Sequence, residues 1–132
     1  MKTHLKRNEV KSLLDRINEI LANEGSAGFT FVQNRTEEKN NPKFTNTYCL
    51  TALEYDEEDV MREIMSLQVS NYYESVFDRE SKQPDTLHVF VKEIINKQVY
   101  IKIKIKEIGD NDIVLCISFH FAEHHIGKLP YE

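Results

Sequence analysis

Only two cysteines, Cys49 and Cys116, occur in the 132 residues, and they form neither a CxxC pair nor a disulfide framework. Each sits in an apolar segment where cysteine serves as a small hydrophobe, so neither is assigned chemistry. Long apolar runs are also missing. The longest, residues 113–119, is far too short to span a bilayer, and the charged start Met1-Lys-Thr-His-Leu-Lys lacks the apolar core of a signal peptide. The expectation is therefore a cytoplasmic protein with no membrane role. An excess of basic charge is absent as well: the formal net charge of -5 argues against general coating of nucleic acid, which relies on many phosphate contacts. Neither repeats nor low-complexity tracts interrupt the chain. A length of 132 residues with 40% hydrophobic content predicts one compact domain over residues 1–132.

The charge that is present is segregated. Residues 54–80 hold nine acids against Arg62 and Arg79, whereas residues 88–106 hold five lysines against Glu93 alone. A basic face on an acidic body suits transient contact with a polyanion, the acidic side repelling unproductive poses.

The basic segment contains the clearest pattern in the chain. Gln98-Val-Tyr-Ile-Lys-Ile-Lys-Ile-Lys106 alternates strictly, and after a short turn Ile113-Val-Leu-Cys-Ile-Ser-Phe-His120 continues as a second strand. With a three-residue loop at Gly109-Asp110-Asn111, Ile101 lies opposite Phe119, Ile103 opposite Ile117 and Ile105 opposite Leu115 on an apolar face. The other face then pairs Tyr100 with His120, Lys102 with Ser118, Lys104 with Cys116 and Lys106 with Val114. A slip that turned the lysines toward the isoleucines would bury unpaired charge, so the pattern sets Tyr100 beside His120. The ribbon is a candidate phosphate-handling surface.

Upstream, Val10, Leu13, Leu14, Ile17, Ile20 and Leu21 recur at helical spacing before Gly25, predicting a helix over residues 8–24. Residues 29–33 read as a short strand, 34–45 as a polar loop, and 48–53 as a short helix. Asp56-Glu-Glu-Asp59 is the acidic first turn of a further helix carrying Val60, Met61, Ile64 and Met65. Residues 72–84 read as polar and irregular, and residues 86–95 as a strand. The fold class is α+β, with two or three N-terminal helices on one face of an antiparallel sheet that ends in a three-strand meander. The turn at Asn96-Lys97 leaves two registers open. A two-residue loop puts Leu87, Val89 and Val91 on the Tyr100 face; a three-residue loop brings His88 and Lys92 there instead. Asparagine before a tight turn favours the two-residue form.

These segments resemble a known family. Leu87-His-Val-Phe-Val-Lys-Glu-Ile, Lys97-Gln-Val-Tyr-Ile-Lys-Ile-Lys and Cys116-Ile-Ser-Phe-His-Phe-Ala-Glu-His look like the C-terminal core of the MqsR (motility quorum-sensing regulator) toxins, which are RelE-like endoribonucleases. Residues 53–76, including Ser70-Asn-Tyr-Tyr-Glu-Ser, resemble the matching upstream part, and the likeness covers roughly residues 29–125. The resemblance implies a toxin that cleaves mRNA, free or ribosome-bound. It also implies an antitoxin encoded beside it, with zinc-binding and helix-turn-helix domains. The family's catalytic tyrosine falls on Tyr100. Its catalytic basic position after Ser-Phe falls on His120, where the best-known member has lysine. Two positions depart: a basic residue after the aromatic-Tyr pair is here Glu74, and a glutamine of the next strand corresponds to Leu87, or to His88 with a one-residue shift.

Metal-independent cleavage by the 2′-hydroxyl needs a base, an acid and cations around the phosphorane. Histidine can serve either proton role near neutrality, so His120 is the first candidate. Tyr100 would hold or protonate a phosphate oxygen, Lys102 or Lys92 would supply positive charge, and His88 joins them if the register permits. Lys104 and Arg79 are candidate RNA contacts, although alternating lysines also serve simply to keep a strand face solvated. A competing pattern, His120-Phe-Ala-Glu123-His124, spells HxxEH, but that zinc motif needs a helix where a strand is predicted. The alternative to a nuclease is a non-catalytic RelE-like module that binds RNA, a ribosome or a protein partner.

Overall fold

The computed structural model describes residues 2–32, 42–78 and 85–132. Among the described residues the α-helices and strands follow in the order β1 (Lys2–Thr3), α1 (Arg7–Glu24), β2 (Phe29–Phe31), α2 (Asn46–Leu53), α3 (Glu57–Met65), β3 (Tyr72–Asp78), β4 (Asp85–Ile94), β5 (Lys97–Ile108) and β6 (Asn111–Phe121). The strands form one sheet in the order β1-β3-β4-β5-β6-β2, antiparallel except for the β2–β6 pair. The architecture is α+β, as the pattern predicts. No helix among the described residues is long and apolar enough to cross a membrane.

Each helix begins and ends where local chemistry dictates. Gly25, at φ +58, closes α1 with its N–H bonded to the Leu21 carbonyl. Thr45 caps α2 through the Tyr48 N–H, and Asp56 and Asp59 cap α3 reciprocally, each bond 3.0 Å. Val10, Leu14 and Ile17 of α1 with Val60 and Ile64 of α3 pack against Phe90, Ile101, Ile103 and Phe119 of the sheet, all nearly fully buried. The helices cover one sheet face and leave the other to carry a site.

Three departures from the predicted pattern bear on that site. First, residues 72–78 are a strand, not an irregular segment. A bulge between Tyr72 and Glu74 breaks the alternation, and both Glu74 and Ser75 are buried despite being polar. Second, the β4–β5 loop has two residues, but these are Ile95-Asn96, with Ile94 opposite Lys97 and Val91 opposite Tyr100. Third, the β5–β6 loop is Gly109-Asp110 rather than three residues, with Gly109 at φ +61 as a type II′ turn requires. A bulge at Ile117 absorbs the difference. Pairing runs as predicted from Tyr100–His120 to Lys102–Ser118, then shifts so that Ile103 faces Cys116 and Ile105 faces Val114. The shift is cheap because residues 113–117 are apolar at every position, so either face of this stretch can be buried.

Ile95 occupies the left-handed region at φ 50 with 75% of its surface exposed. A β-branched residue there costs about 1–2 kcal/mol that little burial offsets. Ile95→Gly is therefore expected to raise stability by roughly 0.5–1 kcal/mol, read as a higher urea midpoint at unchanged slope. A lower midpoint would show that the isoleucine contributes packing that outweighs its backbone strain.

Candidate active site

On the open sheet face a cleft of about 1060 Å³ is lined by Lys2, Asn46, Tyr73, Glu74, Tyr100, Lys102, Ser118, His120 and residues 122–128. Strand alternation puts Tyr100 and Lys102 on the outer face of β5, opposite His120 and Ser118 of β6. The Tyr100 and His120 rings stack at 5.2 Å between centroids and 15° between planes, and the Lys102 Nζ lies 5.7 Å from the tyrosine centroid. The sequence-predicted trio Tyr100, Lys102 and His120 is thus brought together.

His120 is oriented by its own backbone neighbourhood. Its Nδ1 lies 3.0 Å from the Phe121 carbonyl oxygen. A carbonyl can only accept, so Nδ1 carries the proton and Nε2 is the basic nitrogen of the neutral ring. Burial, then the negative charge of Glu74, push the Tyr100 phenol up to about 12. The phenol therefore stays protonated at neutral pH and keeps an O–H to donate.

Two cleft residues escaped the sequence pattern as participants. Glu74 rises beside the β3 bulge, 6% exposed, with Lys2 Nζ 3.5 Å from Oε2. Only its departure from the resembling family singled it out. Asn46, 7% exposed, donates through Nδ2 to the carbonyls of Ile117 (3.0 Å) and Val32 (3.1 Å), and its Oδ1 accepts from the Phe119 N–H (3.0 Å). The β2–β6 ladder ends where Val32 N–H donates to the Cys116 carbonyl. The Asn46 amide continues that ladder past the bulge and holds the strand that carries Ser118 and His120. Its β6 partners lie 71 and 73 residues away, so no local signal could have found it.

The other sequence candidates lie elsewhere. His88 and Lys92 project from β4 on the helix-covered side, as the two-residue loop requires, and neither lines the cleft. Lys92 instead pairs with Glu63 at 2.5 Å and bonds Ser66. Ser75 Oγ is hydrogen-bonded both to His88 Nδ1 (2.8 Å) and to Tyr72 Oη (2.7 Å), and Tyr72 Oη accepts from the Leu5 N–H. Burial lowers the His88 pKa and so favours its neutral ring. Lys104 shares the outer face of β5 but is 8% exposed and lies outside the cleft. Arg79 lies outside the described residues. The HxxEH order does not fall on a helix: His120 lies in β6, one residue before its end, and His124 follows in irregular chain.

Residues 122–128 form one wall, and Gln98 holds them there. Its side chain donates to the Ile126 carbonyl (2.7 Å) and accepts from the Ile126 N–H (2.8 Å). Farther on, Tyr131 stacks on Tyr72 and donates to the Leu5 carbonyl. Residues near the two ends of the chain are thereby tied to each other and to Tyr72 of β3.

The family model described as motility quorum-sensing regulator, toxin of MqsA, matches residues 28–121. That span contains Tyr100, Lys102, Ser118 and His120 and leaves out Lys2 and the 122–128 wall. No curated protein and no solved structure matches the chain.

Proposed function

Because this chain belongs to the family of motility quorum-sensing regulator toxins, the toxin halves of toxin–antitoxin pairs, we propose that it is an endoribonuclease that cleaves mRNA by attack of the ribose 2′-hydroxyl. Its partner is an antitoxin; in this reading that partner blocks the cleft or its approach. The observation that carries the reading is the pairing of a protonated phenol with an imidazole of defined tautomer on one cleft floor.

In the reaction, His120 Nε2 takes the 2′-hydroxyl proton as the 2′-oxygen bonds to phosphorus. The P–O5′ bond breaks and the leaving 5′-oxygen takes a proton from solvent, to which the His120 imidazolium later returns the one it accepted, leaving a 2′,3′-cyclic phosphate and a 5′-hydroxyl. Tyr100 donates a hydrogen bond to a non-bridging oxygen and Lys102 offsets its charge; donors and cations of this kind are worth roughly 3 kcal/mol each. The nucleophile belongs to the substrate, so the chemistry is proton transfer and charge neutralisation, and cleavage is expected to persist in EDTA.

The test is incubation of purified protein with mRNA, mapping the new ends. Tyr100→Phe keeps the stacked ring and removes only the donor, and is expected to lower kcat about 10²-fold with KM nearly unchanged. An effect confined to KM would reduce Tyr100 to a binding role. The second reading, a binding module without catalysis, is favoured by the buried Glu74 carboxylate in the cleft. RNA that is retained but left intact by the native protein would establish it.

A further inference from the structure

A second, smaller cleft adjoins the first. It measures about 490 Å³ and shares residues 122–125 with the larger one. Its floor includes Tyr48, Lys97 and Phe121, the residue immediately after His120. Tyr48 meets the Phe121 ring edge-on at 6.2 Å between centroids, and Lys97 Nζ sits 4.9 Å over the same ring. At 38% exposure, Tyr48 is one of five large hydrophobic side chains left open to solvent among the described residues. Helix α2 links the two clefts, since Asn46 lines the first and Tyr48 the second.

We propose that this second cleft is a subsite for one nucleotide of single-stranded RNA flanking the scissile phosphate, with its base stacked on Tyr48 and its phosphate held by Lys97. The inference rests on the RNA-cleavage reading and deepens it. An exposed aromatic ring beside a lysine is how proteins take hold of unpaired bases, because every base has a π-face and a neighbouring phosphate. The volume lies within the ~300–1,000 Å³ range of small-ligand pockets. Glu93 and Glu123 also line the cleft. They disfavour a run of phosphates and offer acceptors to amino groups on a base edge, so the occupant is a base rather than a second stretch of backbone. The shared ridge at residues 122–125 gives the strand a continuous path from one cleft to the other.

The chain contains no tryptophan, so Tyr48→Trp introduces a single indole reporter at the proposed stacking position. In a His120→Gln background it is titrated with RNA oligonucleotides of two to eight nucleotides, with binding followed separately by anisotropy of a 5′ label. The expected result is indole quenching that saturates with binding and appears only once the oligonucleotide reaches past the first cleft. In the otherwise native chain, Tyr48→Ala is expected to lower the ratio of kcat/KM for an octanucleotide over a dinucleotide about tenfold, and Tyr48→Phe to preserve it. If the native chain cleaves RNA while the indole stays unquenched and the ratio is unchanged, the subsite is overturned and the nuclease reading stands. If the native chain neither binds nor cleaves RNA, both fall together.

Discussion

Replacing His120 with glutamine is expected to lower RNA cleavage by about 10²–10⁴-fold, the usual contribution of a positioned proton-transfer group. Glutamine keeps a polar side chain of similar reach, with an amide N–H that can still donate to the Phe121 carbonyl, but it cannot exchange a proton with the 2′-hydroxyl. His120→Ala removes the ring as well, and with it the stacking partner of Tyr100. Equal losses in the two variants assign the effect to proton transfer; a much larger loss in alanine assigns part of it to the collapse of the stack. The readouts are the single-turnover rate on a defined RNA, and growth with full-length transcript during induced expression in a bacterial host. Cleavage at the native rate by both variants would sink the assignment. His120 is 7% exposed, so unfolding curves must accompany the rates, and a glutamine variant that folds and binds RNA without cutting it is the decisive form of the result.

Asn46→Ala is expected to destabilise the protein by about 2–4 kcal/mol. The substitution leaves the carbonyls of Val32 and Ile117 and the N–H of Phe119 without the partner the amide provides, and a buried polar group stripped of its partner costs about 1–3 kcal/mol. In a domain whose whole stability is roughly 5–15 kcal/mol, that is a large share. Asn46→Asp separates shape from donor chemistry: it keeps an acceptor for Phe119 but sets a carboxylate against two carbonyl oxygens. Its loss should equal or exceed that of alanine at neutral pH. Urea unfolding of the three proteins measures both values, and a loss below ~0.5 kcal/mol for alanine would mean that the bulged end of β6 needs no side-chain support. Because the same bonds hold the strand one and three residues before His120, the surviving folded fraction should also cleave RNA more slowly.

How much of this was legible beforehand varies with the range of the interaction involved. Helix α1 announced itself through Val10, Leu14 and Ile17, and α3 through its Asp56 cap, because spacing and capping are settled within a few residues. The side of β5 that carries Tyr100, Lys102 and Lys104 was equally plain, since isoleucine and lysine tolerate opposite environments. Strand β3 was hidden because its bulge breaks the alternation and two of its polar residues, Glu74 and Ser75, are buried beside partners from β1 and β4. The β6 register was half legible for the converse reason, an apolar run with no preferred face.

The sequence by itself determined the α+β class, the amphipathic helices and the pairing of Tyr100 with His120 at the chemically marked end of the ribbon. Each of these rests on strong local contrast between polar and apolar positions. Only the tertiary structure decided that His88 and Lys92 turn away from that pair, that Glu74 enters the cleft, and that Asn46 extends the β6 ladder. Those outcomes depend on the length of one turn, a bulge, and hydrogen bonds closing loops of 71 and 73 residues, and no periodicity in a chain encodes the position of a partner so far along it.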